Sequence, residues 1–178
     1  MKHASRLTCL ATILAVALGV SAAPALAVSG TEQVTGTTLA TLSLSAGTGG
    51  VFTTNFNPGG TATAIGAETA TDTSPSWTLT VKDAAASNAG HMAAGATGCS
   101  GSDGSLANAL SVSVTSPLGG VTSAGSVSIS GTNQTVASAS SQLLAANVLT
   151  TNYTQTIPST EVMRTGCVYS ITTTYTLQ

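Results

Sequence analysis

Nucleophilic catalysis needs a base within reach of a serine or cysteine, and this chain has only two histidines, His3 and His91. His3 falls in a leader-like N-terminus. His91 lies in Ser87-Asn88-Ala89-Gly90-His91-Met92, a loop-like stretch with no G-x-S-x-G frame around it, so it reads as a solvated loop histidine. Paired carboxylates would support glycoside hydrolysis. The acids Glu32, Glu68, Asp72, Asp83, Asp103 and Glu161 are scattered and form no preferred pair, which makes them surface charges that keep the protein soluble. Asp103 in Gly101-Ser102-Asp103-Gly104-Ser105 lacks the repeated acids and closing Glu of a calcium loop and is expected in a turn. Cys99 and Cys167 with His91 are too few ligands for zinc. The sequence therefore predicts no catalytic centre, no metal and no cofactor.

The first residues read as an export signal. Lys2, His3 and Arg6 form a positive region, residues 10–20 are apolar apart from Thr12 and Gly19, and Ala25-Leu26-Ala27 supplies a small-x-small cleavage site. Cleavage after Ala27 leaves residues 28–178, about 150 residues, enough for one domain with its own core. The apolar run is short for a membrane span, and no transmembrane segment is expected after it. Cys9 precedes the apolar run, where a lipid-attachment cysteine would follow it. After the leader the cations are Lys82 and Arg164 alone. Two cations cannot neutralise a run of phosphates, which excludes nucleic acid as a partner and argues against adhesion to anionic polymers. A partner must be met with hydroxyls, amides and a few aromatics.

Only 6% of residues are charged and Thr, Ser, Ala and Gly dominate, yet apolar residues recur at period two, as a folded β-domain requires. The clearest strand is the last. Cys167, Tyr169, Ile171, Thr173, Tyr175 and Leu177 fall on one face, and Val168, Ser170, Thr172, Thr174, Thr176 and Gln178 on the other. Trp77, Leu79 and Val81 alternate, as do Leu110, Val112 and Val114, then Val127 and Ile129; Leu42 and Leu44 mark an early strand, with Val51-Phe52-Thr53 after it. Turn signals at 47–50, 57–60, 98–104, 117–120 and 131–133 separate them. Residues 141–148, with Leu143, Leu144, Ala145 and Ala146, are the one stretch suited to a helical turn. The fold class is all-β: a single antiparallel β-sandwich or barrel-like domain after a cleaved signal peptide.

An exported chain with the even pair Cys99 and Cys167 most simply forms one disulfide. It would close a loop of roughly 70 residues and contribute about 4 kcal/mol on the loop-entropy model. Trp77, the sole tryptophan, could stack on a sugar if exposed; Leu79 and Val81 share its face, so a core position is expected instead.

Two steps, Trp77-Thr78-Leu79 in mid-chain and Tyr175-Thr176-Leu177 beside the last residue, each place an aromatic and a Leu on the same strand face. Their spacing and position resemble the WxL surface domains of Gram-positive bacteria, which carry one Trp-x-Leu near the middle and another closing the chain. Here Tyr175 replaces the second Trp. The order of features between them, including Ile157-Pro158-Ser159 and Gly166, follows the same plan. The resemblance implies a secreted, non-enzymatic domain at the cell surface, held without covalent linkage by peptidoglycan or a wall-attached protein, with Trp77, Leu79, Tyr175 and Leu177 as structural or wall-contacting residues. An alternative is a pilus or fimbrial subunit, an oligomer assembled by strand exchange. Residues 34–45, with Leu39, Leu42 and Leu44 as apolar plugs, would be its donor strand.

Overall fold

A computed structural model describes residues 41–95, 104–163 and 166–178, which belong to one compact unit, Leu39–Gln178. The proposed leader, Cys99 and the Asp103 turn lie outside the described residues.

Among the described residues the regular structure is almost all strand: β1 (Leu42–Ala46), β2 (Thr61–Asp72), β3 (Trp77–Asp83), β4 (His91–Ala94), β5 (Ser105–Ala109), β6 (Ser111–Thr115), β7 (Val121–Ser123), β8 (Val127–Ser128), β9 (Gln134–Ala139), β10 (Leu143–Thr156), β11 (Tyr169–Ser170) and β12 (Thr173–Leu177). Among the described residues one 3-10 turn, Ala86–Asn88, interrupts them. Three sheets result, in the orders β1-β2-β10-β6-β8, β12-β3-β9-β7 and β11-β4-β5, and all pairings are antiparallel. The first two pack as a sandwich. Its core holds Trp77, Leu79, Val81 and Leu177 from one sheet against Val112, Val114, Leu149 and Tyr153 from the other, with Met92 and Leu106 contributed by the third.

The all-β expectation holds, with corrections in detail. Residues 141–148 form no helical turn, because β10 begins at Leu143. Its register with β2 slips between the pairs Leu143–Asp72 and Asn147–Ala70, so Leu144, Ala145 and Ala146 bulge outward and are exposed. A run of four apolar residues that looked helical is one buried Leu followed by a bulge. Val51-Phe52-Thr53 is not a strand; it belongs to the loop joining β1 to β2. The terminal strand is two, broken at Ile171 and Thr172, because β11 pairs with β4 and β12 pairs with β3. The predicted alternation survives the break: Cys167, Tyr169, Ile171, Thr173, Tyr175 and Leu177 are all partly or fully buried.

The acids are also reassigned. Glu68, Asp72 and Asp83 are buried, not surface charges. Asp83 ends β3 and accepts hydrogen bonds from the Ala85 and Gly90 N–H groups at 2.9 and 3.0 Å, holding the turn into β4. Gly90 sits there at φ +89, where an added Cβ would collide with the Ile129 carbonyl. Asp72 accepts the Ser74 N–H at 2.7 Å, and Glu161 accepts the Ala107 N–H at 3.0 Å. In this protein carboxylates serve as turn and loop fasteners.

Candidate functional site

The two aromatic-x-Leu steps meet in space. β3 and β12 are neighbours, with Leu79 opposite Leu177 and Val81 opposite Tyr175. Thr78 and Gln178 exchange both backbone hydrogen bonds, at 2.7 and 3.0 Å. Trp77 is 2% exposed and donates its Nε1–H to the Ser141 carbonyl at 2.9 Å. Leu79 and Leu177 are buried and Tyr175 is half-buried. These four residues build the interior, and Trp77 cannot act as a sugar platform.

His91 is corrected as well: it opens β4, is half-buried, and its Nδ1 lies 2.6 Å from the Leu106 carbonyl oxygen. Glu68 and Asp72 both face inward from β2, four residues apart on one strand. That separates their Cα atoms by about 13 Å, too far for the carboxylate pair of a glycosidase. No group of three or more His, Cys, Asp or Glu that could hold a metal occurs among the described residues. Nor is any helix among them long and apolar enough to cross a membrane.

What the fold does create is an open cleft of about 840 Å³ between the loop 47–60 and the segment 166–173. That volume is within the range of small-ligand and side-chain pockets. Four of the chain's six aromatics line it: Phe52, Phe56, Tyr153 and Tyr169. Phe52 and Phe56 meet edge to face with centroids 5.1 Å apart, and Phe56 leans on Tyr169 at 6.3 Å. Met92, Leu110, Met163 and Ile171 extend the apolar wall, and among the described residues no Asp, Glu, Lys, Arg or His lines it.

The loop is held at both ends. At its start the Ala67 N–H donates to the Thr48 carbonyl at 3.1 Å, and Gly50 lies flat on the Tyr153 ring, where an added Cβ would come within 2.6 Å of Cδ2. At its end the Asn57-Pro58-Gly59-Gly60 turn closes by a Gly60 N–H bond to the Asn57 carbonyl. That turn is clamped to Ile157 by two backbone bonds of 2.9 Å. Below the floor, the Tyr153 and Tyr175 hydroxyls share a hydrogen bond of 2.9 Å. Burial, the nearby Tyr153 and the Glu68 carboxyl all push the Tyr175 hydroxyl far above the ordinary tyrosine range, so it stays neutral. Burial also raises the Glu68 carboxyl, while a hydrogen bond from the Gly47 backbone partly opposes this. Cys167, on the cleft wall, is disulfide-bonded.

The sequence reading missed this cleft. Its signal was Phe52 and Phe56 four apart in a loop otherwise made of Gly, Thr, Asn and Pro, an odd place for both phenylalanines of an aromatic-poor chain. Compared with protein-family models, curated proteins and solved structures, the chain finds no match.

Proposed function

We propose that the protein is a secreted, non-catalytic surface domain that associates with a bacterial cell wall, or with a protein attached to it, through the cleft under the loop 47–60. The observation that carries this reading is the concentration of four of six aromatics around one open cleft whose described lining holds no charged side chain. The leader-like N-terminus supports export, and the paired aromatic-x-Leu steps keep the WxL resemblance as support for a wall location. The hydrogen bonds of Asp72, Asp83, His91 and Glu161 to backbone groups support a structural use of these side chains and, with it, a binding role for the cleft. In the exported protein Cys167 pairs with Cys99, tying the cleft wall to the Gly-rich loop; peptide mapping without reductant that yields two free thiols would remove this pairing.

Binding through the aromatic and apolar lining of the cleft is insensitive to ionic strength, because salt screens only charge-driven attraction. Purified exported protein should be retained on isolated cell walls equally at low and high salt. Absence of retention at both, together with concentration-dependent polymers, would favour the strand-exchange alternative. Against that alternative, β1 already pairs with β2 of its own chain and sets Leu44 against the core.

A further inference from the structure

We propose that the cleft receives a bulky apolar side chain from an extended, uncharged peptide segment, which lies along β11 as an added strand. This rests on the binding function above and names its occupant. Two separate features converge on it. The first is an edge. β11 ends the three-stranded sheet and β12 ends the four-stranded sheet, and the chain that joins them, residues 169–173, forms one wall of the cleft. An edge strand presents backbone N–H and C=O groups that a second extended chain can pair with.

The second feature is the hole beside that edge. In an added strand every other side chain points to the same face, so a residue in register with the cleft would be aimed at Phe52, Phe56, Met92 and Met163. These residues reward burial of apolar area and offer nothing to a charge, whose desolvation would go uncompensated. Two methionines let the hole adapt to a branched or a ring side chain. A glycan fits less well, since among the described residues no carboxylate or guanidinium lines the cleft to fork hydrogen bonds onto sugar hydroxyls.

The test uses the full exported protein and capped nine-residue peptides of alternating Thr and Ser with Phe, Leu, Ala or Asp at the centre. The tetramer of N-acetylglucosamine is the glycan arm, and calorimetry is the readout. The Phe and Leu peptides should bind about ten- to a hundredfold more tightly than the Ala peptide. The Asp peptide and the sugar should not bind. Val168 lines the cleft and is 68% exposed, so Val168→Glu can place a charge there without disturbing the core. It should weaken the Phe peptide by about tenfold or more with the thermal midpoint unchanged.

Equal affinity for all four peptides, no measurable peptide binding, or unchanged affinity in Val168→Glu would overturn the proposal. Binding of the sugar alone would replace the peptide by a glycan. Retention on cell walls stripped of protein, alongside failure of the peptides, would remove this occupant and leave the surface function standing.

Discussion

In the four-stranded sheet, β3 turns Trp77, Leu79 and Val81 inward and leaves Thr78 and Lys82 half-covered on the other side. In the facing sheet, β2 turns Ala62, Ala64, Gly66, Glu68, Ala70 and Asp72 inward. Its neighbour β10 adds Thr151 and Gln155, both fully buried. The strand β3 is held by large apolar side chains, whereas β2 is held by a long backbone ladder to β10 with small and polar groups on its inner face. The polar side is incompletely satisfied: Asp72 Oδ2, Thr151 Oγ1 and Gln155 Oε1 are buried and accept no hydrogen bond. The polar ribbon of β2 carries the root of the cleft loop at Ala67 and Glu68.

The contrast is sharpest at Trp77. Trp77→Ala removes the largest core side chain and leaves the Ser141 carbonyl unpaired, so it should destabilise by about 3–5 kcal/mol. Chemical denaturation would read this as a collapse of the folded fraction. A stable Trp77→Ala protein would break the comparison.

A smaller effect of opposite sign is expected on the ribbon. Burial raises Glu68 above its ordinary value of 4.5. The native state therefore keeps a proton that the unfolded chain has released. Stability is full below about pH 4.5 and declines as pH climbs through the raised native value. Glu68→Gln keeps an acceptor for the Gly47 N–H and carries no charge, so it should stabilise the protein at pH 7 and flatten that slope. Denaturation midpoints from pH 4 to 8 that keep the slope in Glu68→Gln would show that another group titrates there.

The smallest effect is predicted on the outer face of β2. Ile65 is 69% exposed and stands opposite Asn152. Ile65→Thr should change stability by less than about 0.5 kcal/mol. A loss of more than 1 kcal/mol would mean that this face is covered in solution.

The same contrast explains what was legible in the sequence. β3 and β12 could be read because Trp77, Leu79, Tyr175 and Leu177 alternate with threonines, so hydropathy and burial agree. β2 inverts the rule: its inner face is Ala, Gly and acid, while its most apolar residue, Ile65, points to solvent. No period-two hydropathy signal exists there to be found. β10 was obscured by its bulge, and β4 and β5 by short runs of Ala, Ser and Asn. Of the cleft only the Phe52 and Phe56 loop left a trace in the sequence, because its other walls, near residues 92, 153 and 169, are brought to that loop only by sheet order.

The hydrogen bond from the Thr80 hydroxyl to the Thr176 carbonyl spans 96 positions of chain. A polypeptide delivered N-terminus first presents β3 long before β12 exists to flank it. Until then Leu79 and Val81 have a partner on one side only, and the central strand of that sheet cannot be completed. Closure of such a distant pair comes late and slowly. The four-stranded sheet is therefore completed only when the last strand of the chain arrives.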